Sequence, residues 1–248
     1  MQDGPLRSFG DSITAVVVGA SGGIGHALTT RLADSPAVAH IVACSRSRPA
    51  IDHPKVGFHP LDLLDEATIA AAAGAQARPL DLVLVATGIL HEGEALRPER
   101  TWRALDAAAL EHAYRINAIG PALVAKHFLP LLAQGRKSVF AALSARVGSI
   151  GDNRQGGWHA YRASKAALNM LLRTFAIELA RRNPAAICIG LHPGTVATRL
   201  SAPFQSGVPE GRLFTPAFAA SRLLEVVDGL TQADSGGVFA WDGQPIPP

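Results

Sequence analysis

The sequence predicts an α/β fold, a single domain in which a doubly wound parallel sheet carries helices on both faces. Two observations predict it. Short apolar runs alternate with helical stretches along the chain, which is the pattern of parallel β-α-β units. The first run, TAVVVG at residues 14–19, is continuous and valine-rich, as expected of a strand buried on both faces. Right-handed crossovers then distribute the helices over both faces.

Each element is predicted from its own pattern. Strands are expected at the short apolar runs, residues 14–19, 39–44 (AHIVAC), 56–60, 80–86 (LDLVLVA), 138–143 (SVFAAL), 186–191 and 237–240. Helices are expected in the longer stretches between them, residues 25–33, 66–73, 107–133 with an interruption near Gly120-Pro121, 158–182 and 216–229. No repeat or low-complexity linker divides the chain, so we expect one domain over residues 1–248 with a flexible N-terminus over about residues 1–12.

Composition and charge argue against several classes of function. The net charge is only +3 and the basic residues are scattered, which argues against nucleic-acid binding. No apolar run reaches the roughly 20 residues of a membrane span and no signal peptide is evident, so a cytoplasmic protein is expected. The nine histidines never pair with cysteine or a carboxylate at ligand spacing, so no metal site is expected. Cys44 and Cys188 lie in apolar runs and are interpreted as buried free thiols.

A glycine-rich turn follows the first predicted strand. The segment from Gly19 to Gly25 (GASGGIG) lies where a strand ends and a helix begins, so a phosphate there can meet backbone N–H groups and the helix dipole. Glycines allow positive φ and a close approach of a pyrophosphate. The alternative is a turn that only shapes a connection. Its position directly after the first buried strand favours a dinucleotide site.

The end of the second strand indicates which dinucleotide is bound. An NAD site usually has an acidic residue there, about 20 residues beyond the glycines, to hold the ribose 2′-hydroxyl. This chain has Cys44-Ser45-Arg46-Ser47-Arg48 instead. Arg46 can contact a 2′-phosphate and stack on adenine, whereas a solvated basic turn is the alternative. We therefore expect NADP(H) as the cofactor, with NAD(H) the less favoured choice.

The most informative pair is Tyr161 and Lys165, which are four residues apart in a predicted helix and share one of its faces. A free tyrosine has a pKa of about 10, and an ammonium beside it is expected to lower that pKa toward neutral pH. Taken alone, the four-residue spacing has an alternative explanation, a helix face that is simply exposed to water. The pair also follows Ser144, at the end of an apolar run, and the glycine turn, which makes chance an improbable explanation.

With these motifs together, the chain resembles the classical short-chain dehydrogenase/reductases from its first strand to about Thr198. The segment from Ser144 to Ile150, with Asp152-Asn153 after it, resembles the C-factor-like branch of that family. The resemblance implies a Rossmann-type fold and an NADP(H)-dependent oxidoreductase that interconverts a carbonyl and an alcohol. It implies a catalytic set of Asn117, Ser144, Tyr161 and Lys165.

The same resemblance assigns the cofactor contacts. The adenine-contacting aspartate falls on Asp62, and the Pro-Gly segment beside the nicotinamide falls on Pro193-Gly194. The full set of expected contacts is Gly19, Ser21, Gly23, Ile24, Gly25, Arg46, Asp62, Leu63, Ala86, Thr87, Gly88, Asn117, Tyr161, Lys165, Pro193, Gly194, Val196 and Thr198.

Three departures from the family pattern bear on this expectation. Val18 replaces the usual threonine before the glycine turn. Ala86-Thr87 lacks the family's asparagines, so another group, with Thr87 as the candidate, is expected to stabilise the central strands. The segment from Ser144 to Tyr161 is longer than usual, and its glycine-rich part over residues 151–157 is expected to form a loop at the substrate mouth. None of the departures removes a catalytic group.

The resemblance also implies a role for each catalytic residue. Tyr161 exchanges a proton with the substrate oxygen during hydride transfer, and Ser144 donates a hydrogen bond to that oxygen. Lys165 lowers the pKa of Tyr161 and bonds the nicotinamide ribose. Asn117 holds a water that links Lys165 to solvent, with the easing of a helix kink near Gly120-Pro121 as its other role. The alternative role for the Ser144 hydroxyl is to cap the end of the strand.

The substrate, a small-molecule carbonyl or alcohol, is the least determined part. The family reads it with the loop after Ser144 and with a second segment, here a small flap over about residues 199–215. Trp158 and Phe204 are candidates for an apolar pocket, with ordinary packing as the alternative, and His159 is interpreted as a loop residue without a catalytic role. Solvated surface charge is the favoured interpretation of Arg146, Arg154 and Arg199. The less favoured one is that these arginines attract an anionic substrate.

Two classes of function stay open at this point. One is the NADP(H)-dependent enzyme, and the other is an NADP(H)-binding regulatory or signalling protein with little turnover, which the C-factor resemblance suggests. The complete catalytic set favours the enzyme, because a pure binder needs no Ser144 hydroxyl. The resemblance also implies a homodimer or homotetramer that associates through the long helices containing Asn117 and Tyr161. The face of the second helix offers small and apolar residues, Ala166, Ala167, Met170 and Leu171.

Overall fold

A computed structural model describes residues 6–93 and 96–248. Its strands are β1 (Ile13–Val18), β2 (Val38–Ser45), β3 (Val56–Pro60), β4 (Leu82–Val85), β5 (Ser138–Leu143), β6 (Ala186–His192), β7 (Thr195–Val196), β8 (Leu213–Phe214) and β9 (Val238–Ala240). Seven of them form one parallel sheet in the order β3-β2-β1-β4-β5-β6-β9, and β7 pairs with β8 in a separate ladder. The seven predicted strands are confirmed, with bounds that shift by about two residues at most.

The helices that flank the sheet are α1 (Gly23–Ala33), α2 (Glu66–Gly74), α3 (Ala107–Tyr114), α4 (Gly120–Phe128), α5 (His159–Arg182) and α6 (Pro216–Gly229). A π-helical turn, Arg115–Ile119, joins α3 to α4 and confirms the interruption expected near Gly120-Pro121. The helix expected to reach residue 133 ends at Phe128, because Pro130 has no N–H to continue it. Within the described residues, no helix is long and apolar enough to cross a membrane.

Two hydrophobic cores lie on opposite faces of the sheet, as the doubly wound prediction requires. Alternate residues of β1 point into different cores, with Ala15 and Val17 on the face covered by α1 and α6 and Val16 and Val18 on the other. The second face is covered by α2, α4 and α5, which contribute large side chains such as Phe128. The single-sheet, doubly wound fold is therefore confirmed.

The two cysteines are both buried and unpaired, as predicted. Cys44 in β2 and Cys188 in β6 belong to the core under α2, α4 and α5. Burial raises the pKa of each thiol to about 12, so both remain protonated and unreactive at neutral pH.

The N-terminal segment is attached to the domain from Leu6 onward. Residues 1–5 lie outside the described residues. Leu6 and Phe9 are buried in the core under α1 and α6, and the hydroxyl of Ser8 donates to the carboxylate of Asp228 at 2.6 Å. Two apolar side chains and a polar anchor thus pack the segment from Leu6 onward against the domain, while the flexibility expected over about residues 1–12 stays a prediction.

Candidate active site

The carboxyl ends of four neighbouring strands bring the candidate residues to one edge of the sheet. The glycine turn follows β1, Ala86-Thr87-Gly88 follows β4, Ser144 follows β5, and Pro193-Gly194 follows β6. Because β1, β4, β5 and β6 are adjacent and parallel, segments distant in the sequence meet at this edge. This is where open α/β sheets bind ligands.

The glycine turn after β1 is built by close backbone approach. Gly19 has a φ of +88°, and a Cβ on Gly25 would lie 2.1 Å from the Gly19 carbonyl oxygen. A Cβ on Gly23 would lie 2.8 Å from the Thr198 side chain, which reaches the turn from the segment after β7. Because Gly22, the N-cap residue of α1, has no side chain, no side-chain acceptor among the described residues satisfies the N–H groups of the first helical turn. These features fit the pyrophosphate of a dinucleotide.

Arg46 lies at the end of β2, next to the glycine turn in the sheet. Its side chain is exposed, and within the described part of the chain it has no hydrogen bond or ion pair. The Ser45 hydroxyl donates to the Ser47 carbonyl at 2.7 Å and fixes the turn, while the Arg48 guanidinium lies 5.0 Å from the centre of the Phe58 ring. Arg46 is thus available to a 2′-phosphate, and no carboxylate precedes it at the strand end.

The remaining adenine-side candidates lie after β3. The Asp62 carboxylate accepts a hydrogen bond from the Leu64 N–H at 3.0 Å, which shapes the turn into α2. Leu63 packs against Gly120, where a Cβ would lie 2.9 Å from the leucine Cβ. The structure therefore places Asp62 and Leu63 between the sheet edge and the start of α4.

The segment after β4 differs from the expectation for Thr87. The Ala86 N–H donates to the Val18 carbonyl at 2.7 Å, so the backbone itself ties this segment to β1. The Thr87 hydroxyl is buried and finds no partner among the described residues. The expectation that this hydroxyl stabilises the central strands is wrong. Its methyl group contacts Gly19 instead, which leaves an unsatisfied hydroxyl beside the dinucleotide cradle.

Asn117 joins the segment after β4 to α5. It is fully buried within the π-helical turn. Its side-chain oxygen accepts from the Ile89 N–H at 2.8 Å, and its side-chain nitrogen donates to the Ile89 carbonyl at 2.8 Å and to the Ser164 hydroxyl at 3.0 Å. A Cβ on Gly88 would lie 3.4 Å from this oxygen and 3.5 Å from the Lys165 ammonium nitrogen. Asn117 therefore holds the backbone beside Lys165 with both of its N–H groups engaged.

Tyr161 and Lys165 lie one turn apart near the start of α5. The Lys165 side chain is 2% exposed, donates to the Leu143 carbonyl at 2.7 Å, and lies 5.9 Å from the centre of the Tyr161 ring. Burial raises the pKa of Tyr161 to about 12 and lowers the pKa of Lys165 to about 7. The expected lowering of the Tyr161 pKa by Lys165 is absent, because removal from water dominates both groups.

Ser144 is engaged by a residue that the sequence analysis missed. Its hydroxyl donates to the side-chain oxygen of Asn169 at 2.6 Å. Asn169 lies two helical turns beyond Tyr161 on α5, about 12 Å along the helix axis. In the described structure no hydrogen bond joins Ser144 to Tyr161. The signal for Asn169 was the repeated spacing of four residues from Tyr161 through Lys165.

The loop after Ser144 enters α5 through three consecutive residues of positive φ. Gly156, Gly157 and Trp158 have φ of 62°, 64° and 52°. Glu99, another residue that the sequence analysis missed, holds this entry: its carbonyl accepts from the Trp158 N–H at 2.6 Å and its buried carboxylate accepts from the Ala160 N–H at 3.3 Å. A carboxylate at the positive end of a helix is stabilising.

Aromatic rings form a wall beside Tyr161. The Trp158 ring centre lies 6.3 Å from that of Tyr161 and 5.0 Å from that of Phe204, and His91 lies 5.9 Å from Phe204. Trp158 and Phe204 therefore pack on each other at the place where they were expected to line a pocket. His159, interpreted above as a loop residue, is the first residue of α5, and its buried Nδ1 has no partner in the described residues.

The flap over residues 199–215 is folded and tied down. It contains a 3₁₀ helix, Ala202–Gly207, and ends in β8, whose residues Leu213 and Phe214 pair with Thr195 and Val196 of β7. The sequence analysis did not predict this ladder. It anchors the flap to the segment that follows Pro193-Gly194, so the expected cofactor and substrate segments are joined by backbone.

Comparison with known proteins places the chain among enzymes with this architecture. The sequence profile described as short chain dehydrogenase matches residues 13–208. The chain is 32% identical over 234 residues to 1-hydroxy-2-glutathionyl-2-methyl-3-butene dehydrogenase of Rhodococcus sp. strain AD45, with 93% of this chain and 97% of that protein covered. It is 38% identical over 149 residues to the C-signal of Myxococcus xanthus, with 59% of this chain and 84% of that protein covered.

A solved structure gives the same result for the fold. The NADPH-bound carbonyl reductase from chicken fatty liver superimposes with a TM-score of 0.81 at 26% identity, with 100% of each chain covered. The C-signal match confirms the resemblance to the C-factor-like branch. Because the family profile spans most of the chain and the Rhodococcus relative matches almost its full length, the protein belongs to the short-chain dehydrogenase/reductase family of oxidoreductases.

Proposed function

We propose that the protein is an NADP(H)-dependent oxidoreductase that interconverts a carbonyl and an alcohol by hydride transfer, with Tyr161 as the acid/base. The observation that carries the proposal is the pair formed by a half-buried Tyr161 and a buried Lys165, one helical turn apart at the edge of the sheet that also holds the glycine turn. Burial raises the pKa of Tyr161 to about 12, so the phenol is protonated at neutral pH. That is the form needed to donate a proton to a developing alkoxide. Oxidation of the alcohol would require the phenolate.

The cofactor proposal rests on Arg46. Its guanidinium has no partner in the described chain, it lies at the end of β2, and no carboxylate there would repel a 2′-phosphate. Bound NADPH would supply the hydride. The glycine turn and the first turn of α1 would hold the pyrophosphate, Arg46 the 2′-phosphate, and Lys165 the nicotinamide ribose. The NADPH in the chicken carbonyl reductase structure supports this choice for a protein of the same fold.

Ser144 and Asn117 have more conditional roles in this proposal. Ser144 can donate to the substrate oxygen only after its hydroxyl turns away from Asn169, because a hydroxyl has a single proton. Asn117 positions Gly88 and Lys165 through its bonds to Ile89 and Ser164. Since both N–H groups of the Asn117 amide are engaged, only its oxygen and its backbone remain to hold the expected water.

A regulatory or signalling role is the second candidate function. Two observations favour it: the similarity to the C-signal of Myxococcus xanthus, and the Ser144 hydroxyl that Asn169 already occupies. In either case we propose a cytoplasmic homodimer or homotetramer. Met170 and Ile177 on α5 are 67% and 49% exposed, which supports association through this helix.

The enzyme proposal is tested by NADPH oxidation against a panel of ketones and aldehydes at neutral pH. Tyr161→Phe is expected to lower kcat by about 100-fold or more, because the proton donor is removed, while NADPH still binds. Tyr114→Phe is the matched control, since Tyr114 is the other tyrosine of the chain and ends α3. Binding of NADPH without turnover of any panel member would contradict the enzyme and favour the regulatory protein.

The cofactor proposal is tested separately by titration with NADPH and NADH. The parent protein is expected to bind NADPH more tightly, and Arg46→Ala to weaken NADPH binding by about tenfold or more with little change for NADH. Arg48→Ala is the control, because its guanidinium already lies over Phe58. Equal affinities of the parent protein for NADPH and NADH would contradict the NADP(H) assignment.

A further inference from the structure

A second concave site lies at the same edge of the sheet, on the side away from Arg46. A cavity of about 230 Å³ is lined by residues that follow β5, β6 and β9 and by residues of the flap, including Arg146, His192, Arg212 and Asp242. Arg46 follows β2, which is separated from β6 and β9 by β1, β4 and β5. The cavity is therefore distinct from the adenine end of the proposed cofactor site.

The cavity adjoins the proposed reaction centre through the backbone. Arg146 comes two residues after Ser144, and Gly194, which also lines the cavity, follows β6 in the Pro193-Gly194 segment. A Cβ on Gly194 would lie 2.7 Å from the Phe214 ring, so this segment and the flap share a wall. The cavity thus borders two segments of the candidate active site, the one that follows Ser144 and Pro193-Gly194.

The polar groups of the cavity are only partly satisfied. The Arg212 guanidinium forms no hydrogen bond or ion pair with any described residue, whereas Arg146 is paired with Asp152 at 2.9 Å. The Nδ1 atom of His192 is buried without a partner in the described part of the chain. Burial and the nearby Arg146 lower the pKa of His192 to about 4, so its ring is neutral at neutral pH and one of its nitrogens carries a hydrogen.

Because Arg146 is paired with Asp152, Arg212 and Asp242 are the remaining charged groups of the lining. Asp242 is exposed, and its carboxylate accepts from the Gln244 N–H at 3.2 Å, which uses it in the turn after β9. The apolar part of the wall is aromatic, with the Phe214 and Trp241 ring centres 4.6 Å apart. An unpaired guanidinium next to a neutral imidazole and an aromatic wall suits a planar anion on an apolar stem.

We propose that this cavity binds a carboxylate carried by the carbonyl substrate, with Arg212 as its main partner. The proposal rests on the carbonyl reductase function proposed above and names the substrate class for it, an oxo acid whose two groups are joined by an apolar spacer. Arg212 recognises the carboxylate through paired N–H groups, while Arg146 stays paired with Asp152 at the cavity wall. The phenol of Tyr161 then meets the carbonyl at the other end of the molecule.

The test uses a series of oxo acids in which the spacer between carbonyl and carboxylate lengthens by one methylene at a time. Each acid is paired with its methyl ester, and kcat/KM is measured with NADPH in the parent protein and in Arg212→Ala, Arg212→Lys and Arg154→Ala. In the parent, the acid of best length is expected to exceed its ester by about tenfold or more, mainly through KM. Arg212→Ala brings this ratio close to one, and Arg212→Lys keeps part of it.

Arg154→Ala is the matched control, because this exposed arginine lies in the loop after Ser144 but bonds to the Asn153 carbonyl and is not part of the cavity lining. It is expected to keep the parent ratio. Esters as good as acids at every length, or an unchanged ratio in Arg212→Ala, would overturn the carboxylate site and leave the reductase proposal standing. Absence of turnover of acids, esters and simple ketones alike would overturn both.

Discussion

Two glycine-rich segments follow parallel strands at the same edge of the sheet, and their glycines serve different purposes. In the turn from Gly19 to Gly25, a Cβ on Gly25 would lie 2.1 Å from a backbone oxygen, so space excludes any other residue. In the loop over residues 151–157, a Cβ on Gly156 would meet nothing within 4 Å. Only its φ of +62° favours glycine there.

In both segments, the role of a glycine depends on which atoms an added Cβ would meet. Gly148, just after Ser144, behaves like the first group, because a Cβ there would lie 2.8 Å from the Cβ of Lys165. The backbone after β5 is therefore packed closely against α5 at Gly148, whereas Gly156 in the loop over residues 151–157 has open space around it.

The largest effect is expected where space is most restricted. Gly25→Ala should weaken NADPH binding by about 100-fold and lower the free energy of unfolding by about 3 kcal/mol, because the added methyl group displaces the turn after β1. NADPH titration and urea denaturation measure the two effects. Gly74→Ala is the control: its Cβ meets nothing within 4 Å at the end of α2, so stability should change little or rise slightly. Similar losses of stability in Gly25→Ala and Gly74→Ala would contradict the steric explanation for Gly25.

An intermediate effect is expected at the residue on which Gly148 presses. Burial lowers the pKa of Lys165 from 10.5 to about 7, so the unfolded chain binds more protons than the folded one between those values. The folded state is therefore penalised at pH 7 and recovers as the pH rises. The stability of the parent relative to Lys165→Met should increase by about 2 kcal/mol from pH 7 to pH 9.

Urea denaturation at both pH values measures this difference in the absence of cofactor. The window ends at pH 9 because Cys44 and Cys188, whose pKa values burial raises from 9.0 to about 12, act in the opposite direction above it. Both variants keep these thiols, so their contribution cancels in the comparison. If the free energies of unfolding of the parent and Lys165→Met change with pH in the same way, the Lys165 ammonium is hydrated in the folded protein and burial does not lower its pKa.

The smallest effect is expected in the open part of the loop. Gly156→Ala places a side chain at positive φ with no neighbour, so it should lower the free energy of unfolding by about 1 kcal/mol and leave NADPH affinity unchanged. Thermal denaturation and NADPH titration check this. A loss as large as that of Gly25→Ala would mean that sterics, and not the sign of φ, set the residue choice in both segments.

Much of the architecture could be predicted from local pattern. The first strand, β1, is a continuous apolar run because it is buried on both faces, and the glycine turn stands out because it directly follows β1. Long-range contacts left no such pattern. Glu99 meets Ala160 across 61 residues, and nothing near Glu99 in the sequence marks that partner. Ser144 meets Asn169 across 25 residues, and only the four-residue spacing from Tyr161 through Lys165 points to Asn169.

The sequence by itself determined the order of strands and helices, the glycine cradle, the absence of a carboxylate at Arg46, and the spacing of Tyr161 and Lys165. These features depend on residue type and near neighbours. Only the tertiary structure decided the protonation of that pair, because the pKa values of both groups follow from how completely the fold removes them from water. It also decided that Arg212 lines a cavity, since segments that follow three different strands must meet the flap to form it.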